Sequence, residues 1–174
     1  MIQKSNRHII LQEFFNFPRK DFQIREISRR TKISLPSVTN YLKDLVKEGL
    51  ILKVEKGIYP AFSANRDNEL FRLYKKLDLI LRTKQSGLLD FIYDSCVPDT
   101  IILFGSGAKG EDIEKSDIDI FVQSKTKKLN LEKYEKILNR EISLFFEETF
   151  SRLSPELKNN ILNGFVLKGY MKIF

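Results

Sequence analysis

The residues best suited to chemistry lie in two neighbouring segments near the middle of the chain. An apolar run ends in Gly105 and Ser106, a turn that can offer backbone N–H groups and a hydroxyl to a phosphate. After ten intervening residues, Asp117 and Asp119 alternate with apolar residues, as on a half-buried strand, so both carboxylates are expected on the open face of a predicted sheet. A divalent cation can bridge such a pair to a triphosphate.

The complete pattern is a Gly-Ser turn, ten residues and Asp-x-Asp, with apolar strands on both sides. It resembles the signature of the minimal nucleotidyltransferases of the DNA polymerase beta superfamily, over about residues 87–174. The resemblance implies that Gly105 and Ser106 hold the β- and γ-phosphates. It also implies that Asp117 and Asp119 ligate Mg²⁺ and that a nucleoside monophosphate is transferred with loss of pyrophosphate.

The sequence departs from this family at the third carboxylate, which neighbouring strands usually supply. The candidate strand, residues 141–146, has Ser143 at the mid-strand position where the family has Asp. Glu141 lies two residues earlier on the same face, roughly 6.6 Å away along the strand. We therefore take Glu141 as the candidate third catalytic acid, with a solvated strand-end glutamate as the alternative.

Few other residues suggest a reactive centre. Lys109 occupies a place where the family often carries an Arg and is expected to steady the phosphates, unless it is only a solvated loop lysine. Cys96 is expected in the core, and His8 has no Cys or His partner that would suggest zinc. Phosphoryl chemistry needs positioning and charge neutralisation rather than a nucleophilic side chain, which suits this inventory.

Charge separates the chain into two parts. Residues 1–66 contain 13 Lys or Arg and 6 Asp or Glu, a net charge of +7, whereas residues 67–174 contain 17 of each. All of the excess positive charge therefore lies in the N-terminal part. Such an asymmetry indicates that the first segment binds a polyanion and that the second is an ordinary globular domain.

The basic segment has the residue order of a helix-turn-helix followed by a hairpin. We predict a helix ending near Pro18, then helices over residues 24–31 and 35–48. Two strands, 50–54 and 58–62, follow and are joined by residues 55–57. This order resembles a winged helix-turn-helix domain of bacterial and archaeal transcriptional regulators, over about residues 1–65.

The third predicted helix is expected to be the recognition helix. Its outward polar residues can reach base edges or phosphates, and basic residues around it can contact phosphates without reading sequence. The predicted DNA-binding residues are Arg29, Arg30, Lys32, Ser37, Thr39, Asn40, Lys43, Lys53 and Lys56. The alternative is a winged helix used for protein contact, whose duplex binding would show a flat salt dependence.

A helical stretch from about residue 67 to 96, broken near Gly87, is predicted to link the two domains. The predicted boundaries are 1–65 for the winged helix, 66–86 for the linker and 87–174 for the nucleotidyltransferase domain. The class is α+β, with a mixed sheet and flanking helices in the second domain. Apolar residues at helical spacing along the linker are expected in an intrachain core, with a dimer face as the alternative. They are Leu70, Leu73, Tyr74, Leu77, Ile80 and Leu81.

Composition favours an intracellular protein. A single Cys excludes an internal disulfide, no signal-peptide pattern precedes the first helix, and no apolar run approaches a membrane span, so we expect a cytoplasmic location.

Two functions remain open. In the first, the protein binds double-stranded DNA and uses Mg²⁺ and a nucleoside triphosphate, ATP being favoured, to transfer AMP to a protein or small-molecule acceptor. In the second, it is a transcriptional regulator whose nucleotidyltransferase-like domain is inactive and either senses nucleotide or is only structural.

Overall fold

The protein is described by a computed structural model that covers residues 5–56 and 59–171, with only the backbone of Lys56. The chain divides into two compact units between Lys75 and Lys76. The predicted domain boundaries, 1–65, 66–86 and 87–174, stay predictions, because one continuous helix runs through this division.

Within the described residues, the first unit contains three complete helices and a small antiparallel sheet of order β1-β3-β2. Its elements are α1 (Asn6–Asn16), β1 (Phe22–Gln23), α2 (Ile24–Thr31), α3 (Leu35–Lys47), β2 (Ile51–Lys56) and β3 (Tyr59–Ala64). Lys32 adopts a left-handed conformation, φ 58°, and turns the chain between α2 and α3. The helix-turn-helix predicted from residue order is therefore present.

The hairpin differs from its prediction. Glu55 and Lys56 were expected in the turn, but they pair with Pro60 and Tyr59 and extend the first strand of the hairpin by two residues. These polar residues lie at the end of the ladder, where an extended backbone can add rungs without needing a buried face. The predicted turn residue Gly57 lies outside the described residues.

The second unit contains a mixed four-stranded sheet of order β6-β5-β4-β7. Strand β5 is antiparallel to β4 and parallel to β6, and β7 is antiparallel to β4. The strands are β4 (Thr100–Leu103), β5 (Ile118–Val122), β6 (Ile142–Phe146) and β7 (Phe165–Gly169). The flanking helices are α4 (Glu69–Gln85, which begins in the first unit), α5 (Leu88–Cys96), α6 (Gly105–Lys109), α7 (Glu132–Leu138) and α8 (Pro155–Leu162).

The two central strands are the best buried part of this unit. All four residues of β4 are buried, and Ile118, Ile120 and Val122 on β5 have no exposed surface. Helix α5 packs Leu88, Leu89 and Ile92 into the same core. This rigid centre carries the turn and the paired acids on its open side.

The linker helix corrects one expectation. The break near Gly87 is present, with φ 80° at that residue. However, an intrachain core was expected for all six apolar positions, and only Ile80 is buried. The other five remain exposed because α4 turns Phe71, Lys75 and Leu79 inward instead.

Candidate functional site

Gly105 and Ser106 lie just after the C-terminal end of β4. The buried strand delivers them into α6, a helix of five residues that ends at Gly110, so the predicted open turn is in fact one short helical turn. The first N–H groups of any helix lack intrahelical acceptors and remain available to an anion. Lys109, at the last position of α6, is exposed.

Asp119 lies against this turn. The N–H of Phe104 donates to the Asp119 carbonyl at 3.0 Å, which holds β4 and β5 together at this point. A Cβ atom at Gly105 would come closer to Asp119 Oδ2 than the 3.0 Å that real Cβ atoms keep, and Gly105 also has a φ of 69°. The backbone conformation therefore favours glycine, and any larger residue would also displace the Asp119 carboxylate.

The two acids interact electrostatically. Asp117 is exposed just before β5, and Asp119 is half-buried within it. Burial raises the pKa of the Asp119 carboxyl above its ordinary value, and the negative charge of Asp117 raises this pKa further. A cation held between the two carboxylates would relieve both effects, and carboxylate oxygens are the ligands that Mg²⁺ prefers.

The third carboxylate is absent from the expected position. Strand β6 pairs with β5 so that Ser143 lies opposite Asp119, as the departure in sequence indicated. Within the described residues, no group of three or more His, Cys, Asp or Glu side chains lies close enough to share a metal ion. Asp117 and Asp119 are thus the candidate metal ligands that the described residues place at β5.

Glu141 lies beside the other acid. It precedes β6 instead of standing within it, and its carbonyl accepts a hydrogen bond from the N–H of Ile118 at 2.9 Å. Its side chain lines an open groove that Asp117 also lines, between residues 114–117 and α7. The role of Glu141 as a catalytic acid stays a prediction, since its neighbour is Asp117 rather than Asp119.

A buried ion pair fixes the loop that carries Asp117. Arg140 Nη2 lies 2.6 Å from Asp112 Oδ2, with side chains 10% and 2% exposed, and Arg140 Nη1 donates to the carbonyl of Ser116 at 3.3 Å. The Ser116 hydroxyl accepts the N–H of Ile113 at 3.0 Å. Arg140 therefore joins the start of β6 to both ends of the loop. Sequence reasoning missed this contact because an Arg so far along the chain belongs to no motif.

Most of the predicted DNA-binding residues lie on the accessible surface of the first unit. Arg29, Lys32, Asn40, Lys43 and Lys53 are exposed. Ser37 and Thr39 are half-buried and occupied locally, because Ser34 Oγ donates to Ser37 Oγ and Thr39 Oγ1 donates to the Leu35 carbonyl, at 2.9 and 2.8 Å. The side chain of Lys56 lies outside the described residues.

Arg30 has partners inside the unit. Its guanidinium pairs with Glu13 of α1 and lies over the ring of Phe17, 4.5 Å from the ring centre, and over Phe22 at 5.7 Å. A guanidinium that binds a carboxylate and stacks on aromatic rings stabilises the packing of α2 against α1. Its predicted phosphate contact stays a prediction, and Arg29 and Lys32 are freer to make one.

A pocket beside the recognition helix brings in residues that the sequence did not single out. Arg25 of α2, Leu35 of α3 and Tyr59 of β3 line it together with Thr39. Tyr59 is 65% exposed, unusual for a large aromatic residue. A Tyr at the tip of a basic predicted hairpin is the sequence signal that could have identified this pocket.

The comparisons with known proteins agree with the geometry. Residues 84–168 match a family model described as a nucleotidyltransferase domain, and residues 23–51 match one described as winged helix-turn-helix DNA-binding. No curated protein and no solved structure is similar enough to match the chain. No helix of the described residues is both long and apolar enough to cross a membrane. Both suspected resemblances are thus confirmed, and the chain carries a winged helix-turn-helix segment followed by a nucleotidyltransferase domain.

Proposed function

We propose that the C-terminal domain binds a nucleoside triphosphate with Mg²⁺ and transfers a nucleoside monophosphate, AMP being favoured, to a protein or small-molecule acceptor. The winged helix attaches the protein to double-stranded DNA, which implies a cytoplasmic location. The observation that carries the proposal is the contact between the Gly105 turn and Asp119, with Asp117 beside it on the same face.

In this proposal each part of the site has one task. Asp117 and Asp119 hold Mg²⁺, which neutralises phosphate charge and organises the α-phosphate. Gly105 and Ser106 bind the β- and γ-phosphates, and Lys109 adds a positive charge beside them. The acceptor approaches from the side opposite the departing pyrophosphate.

The raised pKa of the Asp119 carboxyl supports the binding of a cation at this point. A carboxylate pair that repels itself in the free protein gains most when a divalent ion arrives. Metal and triphosphate are therefore expected to bind together, each more weakly without the other.

A calorimetric titration tests the proposal. Wild-type protein is titrated with ATP, GTP, CTP and UTP, with and without Mg²⁺, beside a variant carrying Asp117→Asn and Asp119→Asn. We expect Mg²⁺-dependent binding of one triphosphate by the wild type alone. Label transfer from the α-³²P form of that nucleotide to added acceptors then measures turnover, and failure of every triphosphate to bind would overturn the proposal.

Ser143 favours a second candidate function. Since the residue opposite Asp119 cannot act as a carboxylate, the domain would bind nucleotide without transferring it and would regulate DNA binding. The two functions are separated by measuring duplex affinity with and without MgATP. A change in DNA affinity without label transfer indicates sensing, and label transfer abolished by Asp119→Asn indicates the enzyme.

A further inference from the structure

Helix α4 carries an apolar stripe that the described chain leaves exposed. Five large side chains on this helix of 17 residues are between 39% and 47% exposed. They are Leu70, Leu73, Tyr74, Leu77 and Leu81. Single exposed apolar residues are ordinary on a protein surface, but a continuous row of this length indicates an interaction surface.

Four of these residues form a seam with a symmetrical spacing. Leu70, Tyr74, Leu77 and Leu81 are separated by four, three and four residues, the alternation that keeps side chains on one face of a helix. The order 4-3-4 reads the same in both directions. A second α4 running antiparallel therefore places Leu70 opposite Leu81 and Tyr74 opposite Leu77. The two-fold symmetry repeats each of these contacts once.

The charges at the two ends of α4 favour the same antiparallel arrangement. Asp67 and Glu69 lie at its beginning, and Arg82 and Lys84 lie at its end. In the register set by the seam, Asp67 meets Lys84 of the other copy, because these two positions continue the spacing of the seam, whereas Glu69 and Arg82 lie to either side of it. A parallel pair would place like charges together at both ends and align the two helix dipoles unfavourably.

Of the four end charges, Arg82 is engaged within its own chain. Arg82 already donates to the Leu138 carbonyl at 2.7 Å and lies 3.6 Å from Asp78 Oδ2, so its position is fixed within its own chain. Asp67 and Lys84, which continue the seam, are exposed at opposite ends of the helix. Exposed charges of opposite sign specify orientation more than affinity.

From the seam and its end charges we propose that α4 is a self-association surface, on which a second copy of this chain binds antiparallel about a two-fold axis. Five partly exposed side chains cover less than the ~800 Å² per partner of a standard interface. The dimer is therefore weak, with a Kd on the order of 10 µM. This inference is independent of the proposed nucleotidyl transfer.

Sedimentation equilibrium of the full chain, from about 1 to 200 µM, tests the association. Leu77→Glu introduces a charge at the centre of the seam and is expected to weaken the dimer at least 30-fold. Leu162→Glu is the matched control, because Leu162 is 48% exposed on α8 and lies off the seam. A monomeric wild type, or equal effects of the two variants, would overturn the proposal; circular dichroism verifies that both variants are folded.

Disulfide trapping tests the orientation, in a Cys96→Ser background that removes the native thiol. An equimolar mixture of the Leu70→Cys and Leu81→Cys chains is expected to form a crosslinked dimer under mild oxidation, whereas each chain alone forms little. Crosslinking of Leu70→Cys with itself would indicate parallel helices and refute the antiparallel register. Absence of any crosslink in a mixture that sediments as a dimer would place the contact elsewhere.

Discussion

Replacing Gly105 with alanine separates the cost of a backbone conformation from the cost of a displaced metal ligand. Gly105 has a φ of 69°, which costs a residue with a Cβ roughly 1–2 kcal/mol. The new methyl group would also overlap Asp119 Oδ2. Because ordinary contact begins at 3.4 Å, the carboxylate must move by roughly 1 Å, a displacement that can cost about 100-fold in a catalytic site.

The two costs appear in different measurements. Asp119 Oδ2 is the end of a side chain, so it can rotate away with little loss of folding free energy, and the stability loss comes from φ alone. For a domain of this size, a Tm decrease of roughly 5 °C is expected. The Mg²⁺-dependent triphosphate affinity, measured by calorimetry, is expected to decrease about 10- to 100-fold, because a metal ligand is displaced.

Gly87→Ala is the matched control. Gly87 has a φ of 80°, but nothing lies within 4 Å of the position its Cβ would take. We expect a similar Tm decrease with unchanged nucleotide affinity. Equal nucleotide affinities for Gly105→Ala and wild type would show that the approach of this turn to Asp119 has no part in binding.

Four further changes address the remaining parts of the molecule. Asp119→Asn should raise the Tm slightly at pH 7.5 without Mg²⁺, because a carboxyl with a raised pKa stabilises the fold only when protonated, and this contribution is lost as pH rises through the folded pKa. The difference should vanish at acidic pH, below the ordinary pKa of Asp, in a fluorimetric melt. Arg140→Lys keeps a charge for Asp112 but loses the forked contact with Ser116, and should weaken Mg²⁺-nucleotide binding about tenfold by calorimetry, while Lys168→Ala, which removes the surface pair with Asp90, should not. Ser143→Asp adds a carboxylate opposite Asp119 and should tighten Mn²⁺ binding about tenfold in an electron paramagnetic resonance titration, with no change if β6 lies too far from the metal. Lys43→Ala should reduce duplex affinity and lower the salt slope by about 1, whereas Arg30→Ala should chiefly lower the Tm, as fluorescence anisotropy and melting will distinguish.

Local patterns predicted the elements of the site well. The Gly-Ser turn and the alternating acids depend on period-two strands and glycine chemistry, which are properties of a few consecutive residues. Helix α2 matches its predicted bounds, since Ile27 and its neighbours have a clear helical pattern. The position of Ser143 opposite Asp119 also agrees with the sequence argument, because flanking apolar residues fix which face of β6 is buried.

Contacts between distant segments could not be predicted in the same way. The pairing of Arg140 with Asp112 depends on the parallel alignment of β6 with β5, and no local pattern encodes that alignment. Arg30 was assigned by charge alone, although its rings and its carboxylate come from α1 and β1. The exposure of α4 likewise depends on which of its faces the rest of the chain covers.

The sheet order also determines when each half of the molecule can fold during synthesis. Strand β4 pairs with β7, so residues near 102 need a partner that emerges more than sixty residues later. The winged-helix sheet closes within residues 22–64 and needs nothing downstream to complete its ladder. Since domains generally fold as units as they leave the ribosome, the DNA-binding half is expected to be folded while β4 still has an open edge. Until β7 arrives, that edge is the part of the nascent chain most exposed to mispairing, and chaperones are expected to act there.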